Sequence, residues 1–366
     1  SISIVTDEPN YPYQRPPLSK GFLTGKTNTE SLFFKGQDYY KKNEIKVLLK
    51  HRVIKLDRKK QVVILQDGSN LDYKKLVITT GSKLNKITTK EHKKIIYLNT
   101  LSKAVDLQKL LKGNQSVGIV GAGYIGLEVA ATAIKMGLQT TVLEAEKRIM
   151  QRSASKEISN FIKNYHEKMG VEFKLKAIAE KIEPTDKGVN ISVKDGDDTN
   201  TDFLLIGVGV HAASAIAEDA GIDCSNGILV DENCQTNDKN IYAAGDCVNY
   251  YFSRYGTRHR LESVQNAIDQ ATIVSSSIVG KPILYRSIPW FWSDQYDLKL
   301  KIAGLSQQSD LIVIRGKTEE SKFSACHFKE NKLIAVECVN DQKTFMLGKK
   351  LIETESSITP EAMENT

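Results

Sequence analysis

Short apolar runs broken by glycines and charged turns recur along the chain, and their spacing predicts alternating strands and helices. Ile2-Ser3-Ile4-Val5 reads as a strand, with Thr6-Asp7-Glu8 as its polar end. Further strands are predicted over residues 47–56, 61–65 and 71–80, with an Asp67-Gly68 turn signal and Gly81 closing the set. Residues 101–112 carry the spacing of an amphipathic helix, and a helix over 155–168, stopped by Gly170, returns to a strand over 171–175. A buried strand over 204–208 ends in Gly207-Val208-Gly209. Another, Ile241-Tyr242-Ala243, runs into Ala244-Gly245-Asp246. A helix over 261–279 stops at Gly280 and Pro282. Beyond it, alternation predicts strands over 298–303, 311–314, 323–328 and 333–339, then a helix over 344–353, as in a separate α+β domain.

One stretch carries chemistry as well as pattern. Ser116-Val117-Gly118-Ile119-Val120 is strand-like, and Gly121-Ala122-Gly123-Tyr124-Ile125-Gly126-Leu127-Glu128 opens a helical run ending near Met136. Thr140-Thr141-Val142-Leu143 follows as a second strand, closed by Glu144. The first glycine makes the tight turn, the second lets the backbone approach a pyrophosphate, and the third lets the helix pack closely. The helix N-terminus offers unpaired N–H groups and positive dipole to phosphates. Glu144 suits a ribose 2′-hydroxyl and so favours NAD(H), although Lys147 and Arg148 just beyond can also meet a 2′-phosphate.

Composition narrows the classes. At 366 residues, two or three domains are expected, and 40% hydrophobic with 26% charged residues describes an ordinary globular protein. No apolar run approaches the ~18 residues of a membrane span and no signal-peptide pattern opens the chain, so no membrane partner and a cytoplasmic location are expected. The five cysteines (Cys224, Cys234, Cys247, Cys326, Cys338) contain no CxxC pair, which fits neither a disulfide framework nor a metal site. The net charge of +7 comes from 41 lysines and ten arginines, and the dispersed lysines read as a solvated surface rather than a nucleic-acid footprint.

Four separated segments resemble one family. They are Pro12-Tyr13-Gln14-Arg15-Pro16-Pro17-Leu18-Ser19-Lys20, the glycine unit, Thr236 with Ile241-Tyr242-Ala243-Ala244-Gly245-Asp246, and Pro289-Trp290-Phe291-Trp292-Ser293-Asp294-Gln295-Tyr296. In this order they resemble the NADH-dependent, FAD-containing ferredoxin reductases that serve Rieske-type oxygenases and bacterial haem monooxygenases. The resemblance implies an α/β fold of two Rossmann-like dinucleotide-binding domains, one of them discontinuous, plus a C-terminal α+β domain. Carried onto this sequence, residues 1–82 and 210–287 form the FAD domain, 83–209 the NAD(H) domain and 288–366 the C-terminal domain. The family's first glycine fingerprint for FAD precedes a segment like 2–8 and is absent from the sequence as given, so an N-terminally shortened FAD domain is expected.

The resemblance also implies roles. Arg15 is placed on the FAD phosphates, beside Pro16, and Lys20 beside the reactive flavin nitrogen. Glu128, expected in the first helical turn, faces the nicotinamide and pairs with Lys20; helix-end stabilisation through the dipole is its alternative role. Asp246, after Gly245, bonds the ribityl chain, and Val53 packs adenine. Glu8, Thr80, Gly81 and Trp292 complete the FAD set. A helix beginning near Leu261 aims its N-terminus at the flavin, which brings Glu262, Ser263 and Val264 closest. Gly121, Gly123, Tyr124, Ile125, Gly126, Glu144 and Gly209 complete the NAD(H) set. Asn99 and His211-Ala212-Ala213 depart from the commoner residues of the family, and His211 reads as a loop histidine. Arg254, Arg258 and Arg260 gather three of the ten arginines in seven residues, and Arg254 and Arg258 are candidates for docking an acidic, transient [2Fe–2S] ferredoxin.

The implied reaction passes a hydride from NADH to FAD, then single electrons to the ferredoxin. Thiol-based disulfide reduction is disfavoured, because the first cysteine is Cys224. Two other readings stay open: a slow-turnover flavoprotein resembling apoptosis-inducing factor, and an NAD(H)-binding remnant without FAD.

Overall fold

The strand predicted over 47–56 is two strands, Ile45–Leu48 and Val53–Asp57, in the computed structural model, which describes residues 1–285 and 287–364. Residues 286, 365 and 366, which fall within the expected second FAD piece and C-terminal domain, lie outside the described residues. The break falls at Lys50, whose φ of 59° puts a non-glycine residue in the left-handed region. Backbone bonds from Lys50 N to the Glu8 carbonyl (3.0 Å) and from His51 N to the Thr6 carbonyl (2.9 Å) hold that bend.

The chain divides into two units, and the first comprises Ser1–Gln14, Thr29–Lys83 and Val210–Ser287. Here Ile2–Val5 pairs parallel with Ile45–Leu48, and Leu76–Ile78 pairs parallel with Ile241–Ala243. Val53–Asp57, Val62–Leu65 and Asn70–Asp72 form an antiparallel three-stranded sheet. The segment predicted as one strand over 71–80 is therefore split between two sheets. Leu56, Val63, Ile78, Ile241, Phe252 and Ile273 share one buried core. The helix expected from 261 begins at Val264, because Ser263 is its N-cap and accepts from Asn266 N at 3.2 Å. Glu262 consequently lies outside it.

The second unit comprises Arg15–Asn28, Leu84–Gly209 and Ile288–Thr366. Five parallel strands lie in the order Val171–Leu175, Gln139–Glu144, Ser116–Val120, Phe203–Ile206 and Ile95–Ile96. Helices Leu101–Gly113, Tyr124–Lys135 and Lys156–Lys168 connect and cover them. A three-stranded antiparallel sheet over Ala179–Pro184, Val189–Val193 and Thr199–Thr201, absent from the sequence expectations, sits in the connection before Phe203. A five-stranded antiparallel sheet follows, ordered Trp290–Gln295, Leu298–Gly304, Lys332–Val339, Lys322–Lys329, Leu311–Lys317. Its core is closed by helix Gln342–Thr354 through Phe345 and Ile352. Among the described residues no helix is long and apolar enough to cross a membrane.

Candidate functional site

The turn between Ser116–Val120 and Tyr124–Lys135 is built on steric limits. Gly121 has φ of 104°, and a β-carbon there would lie 2.3 Å from the Gly207 carbonyl oxygen. At Gly126 a β-carbon would lie 2.2 Å from the Gly121 carbonyl oxygen. Gly123 is different: a β-carbon there would meet nothing within 4 Å. The first and third glycines close the backbone on itself, while the second fronts open space at a helix N-terminus, which fits a pyrophosphate. Glu144 locks this turn, with Oε2 accepting from Ala122 N at 2.7 Å and Oε1 from Glu146 N at 2.9 Å. Each oxygen keeps a second lone pair, so the carboxylate is oriented and still able to accept from a ribose hydroxyl. Tyr124 donates its hydroxyl to the Ser153 carbonyl (2.9 Å) and packs on Phe291, with ring centroids 4.5 Å apart. Ile125 is exposed, and Gly209, at φ of 87°, accepts from Asn85 N at 3.0 Å.

Glu128 is the fifth residue of its helix, not part of the first turn, so helix-end stabilisation does not explain it. Its side chain is 4% exposed, and Oε1 lies 2.8 Å from Lys20 Nζ. Oε1 also accepts from Ser293 Oγ at 2.6 Å, and Oε2 accepts from Ser19 Oγ. Lys20 reaches this place because Pro16–Ser19 winds into a 3₁₀ turn with proline at its start. Leu18, Phe22 and Leu23 are buried, and Gln108 Nε2 donates to the Phe22 carbonyl at 2.6 Å. Arg15 is exposed, and its guanidinium donates to the Asn99 carbonyl. Trp292 is half-buried and its ring centroid lies 5.5 Å from that of Trp290.

In the first unit two predicted pairs come together. Leu76–Ile78 and Ile241–Ala243 run parallel and side by side, so Thr80-Gly81 and Gly245-Asp246 both follow their carboxyl ends. In open parallel sheets that is where ligands bind. Thr80 Oγ1 donates to the Ala213 carbonyl at 2.7 Å, and Gly245 N donates to Gln270 Oε1 at 2.8 Å. Gln270 Nε2 and Asn266 Oδ1 are buried on that helix without a protein partner, as a site built to receive a polar ligand would leave them. The residues present thus fit FAD. Ser263 and Val264 form the helix start, and Val53 packs against the core of this unit. Glu8 accepts the Tyr13 hydroxyl at 2.6 Å.

The arginine cluster divides by burial. Arg260 bonds the Asp246 and Val210 carbonyls (3.3 and 3.4 Å) and pairs with Glu262 at 2.6 Å. Arg258 is exposed yet donates to the Asn249 and Val230 carbonyls, at 2.9 and 3.3 Å. Arg254 is exposed. All five cysteines are free. Burial pushes the Cys234 and Cys326 thiols up to about 12 and Cys224 to about 11, so none of these is poised as a thiolate.

Sequence reasoning assigned nothing to Ser19, Ser293, Gln295 or His166. The first three stood inside segments already singled out; His166 gave no signal beyond its place on a helix.

An oriented acid facing a lysine, beside a glycine turn shaped for a dinucleotide, defines a nucleotide-dependent oxidoreductase of Rossmann type. The chain matches the pyridine nucleotide-disulphide oxidoreductase family over residues 1–271 and the reductase C-terminal family over 290–366. It is 37% identical to the rhodocoxin reductase of Rhodococcus erythropolis, covering 100% of this chain and 86% of that protein. With the putidaredoxin reductase of Pseudomonas putida it shares 33% identity over 98% of this chain and 87% of that one. Among solved structures, the ferredoxin reductase for the CYP199A2 system of Rhodopseudomonas palustris superposes with a TM-score of 0.95 at 36% identity, covering 100% and 91% of the two chains. The covalent putidaredoxin reductase–putidaredoxin complex gives 0.97 at 33% identity, covering 100% and 89%. The chain therefore belongs to the pyridine nucleotide-disulphide oxidoreductase family, in its branch of FAD-dependent, putidaredoxin reductase-like ferredoxin reductases.

Proposed function

We propose that this protein is a cytoplasmic NADH:ferredoxin reductase in which Lys20 and Glu128 line the place of hydride transfer. FAD, when bound, supplies the redox chemistry, taking a hydride from NADH and giving single electrons to an acidic, transiently docked [2Fe–2S] ferredoxin. Residues 1–82 and 210–287 are assigned to the FAD domain, 83–209 to the NAD(H) domain and 288–366 to the C-terminal domain.

The protein's own groups bind, orient and tune. Gly121, Gly123, Tyr124, Ile125 and Gly126 present the turn and helix start to the NADH pyrophosphate. Glu144 takes the ribose hydroxyls, and Gly209 closes the NAD(H) set. Thr80, Gly81, Gly245 and Asp246 take the ribityl and phosphate portion of FAD. Ser263 and Val264 offer a helix N-terminus to an electron-rich ring edge. Glu8, Arg15, Pro16, Val53 and Trp292 carry the remaining FAD contacts. The Lys20 ammonium stabilises negative charge at the ring, while Glu128 fixes that ammonium in place. Arg254 and Arg258 steer the acidic partner.

The Lys20–Glu128 pair carries this reading: two serines orient the buried carboxylate, and Lys20 Nζ, which also donates to the Pro16 carbonyl at 3.5 Å, keeps a third N–H for a ligand. The deciding experiment is a visible spectrum of the purified protein before and after anaerobic NADH. A bound-flavin band that NADH bleaches is expected; a protein that binds NADH yet carries no bleachable flavin would refute the assignment.

A further inference from the structure

Ser293, Gln295 and His166 lie outside both cofactor sets, yet they form one continuous chain with Glu128. Ser293 Oγ donates to Glu128 Oε1 at 2.6 Å. Gln295 Nε2 donates to Ser293 Oγ at 3.1 Å. Gln295 Oε1 then accepts from His166 Nε2 at 2.8 Å, which makes His166 the Nε2–H tautomer. Along the strand Trp290–Gln295, positions 293 and 295 share a face, and so one strand supplies both middle members. All four side chains are buried, with Ser293 and His166 at 0% exposure.

The chain has a direction. Each member gives a proton towards Glu128, and each hydroxyl or amide oxygen takes one from the member behind it. Burial lowers the His166 imidazole to about 4, against a smaller upward push from its bond to Gln295. His166 is therefore neutral near pH 7 and acts as a dipole rather than a proton source. The rings around it, Phe173 and Tyr296, bring no charge, and Lys135 engages the Tyr296 carbonyl rather than the imidazole.

We propose that Ser293, Gln295 and His166 are positioning residues for the reaction: a polarised hydrogen-bond chain fixes the Glu128 carboxylate, and through it Lys20, against the nicotinamide. The inference rests on Glu128 lining the nicotinamide as assigned above. It concerns side chains that touch neither cofactor and act only through Glu128.

The test is a double-mutant cycle on the holoenzyme, read as the NAD⁺ dissociation constant from flavin absorbance and as the hydride-transfer rate in stopped flow. Ser293→Ala should weaken NAD⁺ binding about tenfold, the size of one lost bond to a charged group. In the Glu128→Gln background the same change should cost less than about twofold. Equal losses in both backgrounds would make Ser293 merely structural and overturn the proposal. A Glu128→Gln enzyme with unchanged NAD⁺ affinity and hydride transfer would instead remove the assignment of Glu128, and the proposal with it. Gln295→Glu supplies a nearly isosteric second variant. It turns a donor into an acceptor, draws the Ser293 proton away from Glu128, and should reproduce the Ser293→Ala loss. One readout needs no variant and no turnover: ¹⁵N-histidine NMR of the unsubstituted protein should show His166 protonated at Nε2 at pH 7. An Nδ1–H tautomer would break the chain at its origin and sink the proposal.

Discussion

The Lys20 ammonium stands 2.8 Å from Oε1 of a Glu128 side chain that is 4% exposed, while Lys20 itself is 21% exposed. The pair is thus asymmetric, with a desolvated anion and a cation that still meets solvent. An anion taken out of water is costly unless several donors surround it. Ser19 and Ser293 are those donors.

Removing the cation should therefore be felt as lost stability. Lys20→Met is expected to cost about 1–3 kcal/mol, at the lower end because Lys20 is partly solvated. In the Glu128→Gln background the cost should shrink to under about 0.5 kcal/mol. Urea unfolding of the four proteins measures the difference; a constant cost would mean the pair does not interact.

The glycine turn separates folding from binding. Gly121→Ala and Gly126→Ala drive a methyl to about 2 Å from a backbone carbonyl and should not yield folded protein. Gly123→Ala meets open space, so its melting temperature should move by no more than a few degrees. The new methyl should instead fill the ground assigned to the pyrophosphate, and NADH affinity should fall at least about tenfold. Retained affinity in Gly123→Ala would show that the phosphates bind elsewhere.

Glu144, as assigned above, should govern nucleotide choice. The unsubstituted enzyme should prefer NADH over NADPH, and Glu144→Ala should narrow the ratio of kcat/KM values by about tenfold or more. Because Ala122 N and Glu146 N lose their acceptor, the same variant should also lose about 1–2 kcal/mol of stability. An unchanged ratio would release Glu144 from a role in specificity.

His166 predicts an acid limb. Its folded value, about 4, lies below that of the unfolded chain, near 6.5, so on acidification the unfolded chain takes the proton first. This contribution is complete above pH 6.5 and is lost as the pH falls through about 4, to a total of about 3 kcal/mol. His166→Gln should flatten the stability–pH profile in that window. Thermal melts at pH 7 and 4.5 provide the comparison.

Two arginines should show one shared defect in partner assays. Arg254→Glu should slow ferredoxin reduction by about tenfold at low salt, less at high salt, with NADH-to-dye turnover intact. Arg258→Glu should show the same salt-dependent defect and also lose about 1–2 kcal/mol of stability, since its guanidinium holds the Asn249 and Val230 carbonyls. Parallel losses in ferredoxin and dye assays would refute docking.

Much of the candidate site was legible because its residues sit in local patterns. The glycine turn, Glu144 and the Pro-Pro-Leu-Ser-Lys segment all announce themselves within a few positions. What escaped was long-range or conformational. Nothing near Glu128 in sequence points to Ser293 or His166, because a strand and a separate helix deliver them. The break at Lys50 escaped because a lysine at positive φ carries no compositional mark. Val189, Ile191 and Val193 do alternate, but the polar turns around them hid an inserted sheet. Pattern likewise predicted four of the five C-terminal strands, but missed Trp290–Gln295, the strand that brings Ser293 to Glu128 on the helix Tyr124–Lys135.

The segment Arg15–Asn28 belongs with Leu84–Gly209 although residues 29–83 intervene. A ribosome adds about 5–20 residues per second, so Lys20 emerges on the order of 5–20 s before Glu128 exists to meet it. For much of that interval Leu18, Phe22 and Leu23, later buried, wait for the helices Leu101–Gly113 and Tyr124–Lys135 that their segment packs against. A nascent chain of this protein should be a chaperone client early in its synthesis, and slow codons placed between these segments would lengthen its exposure.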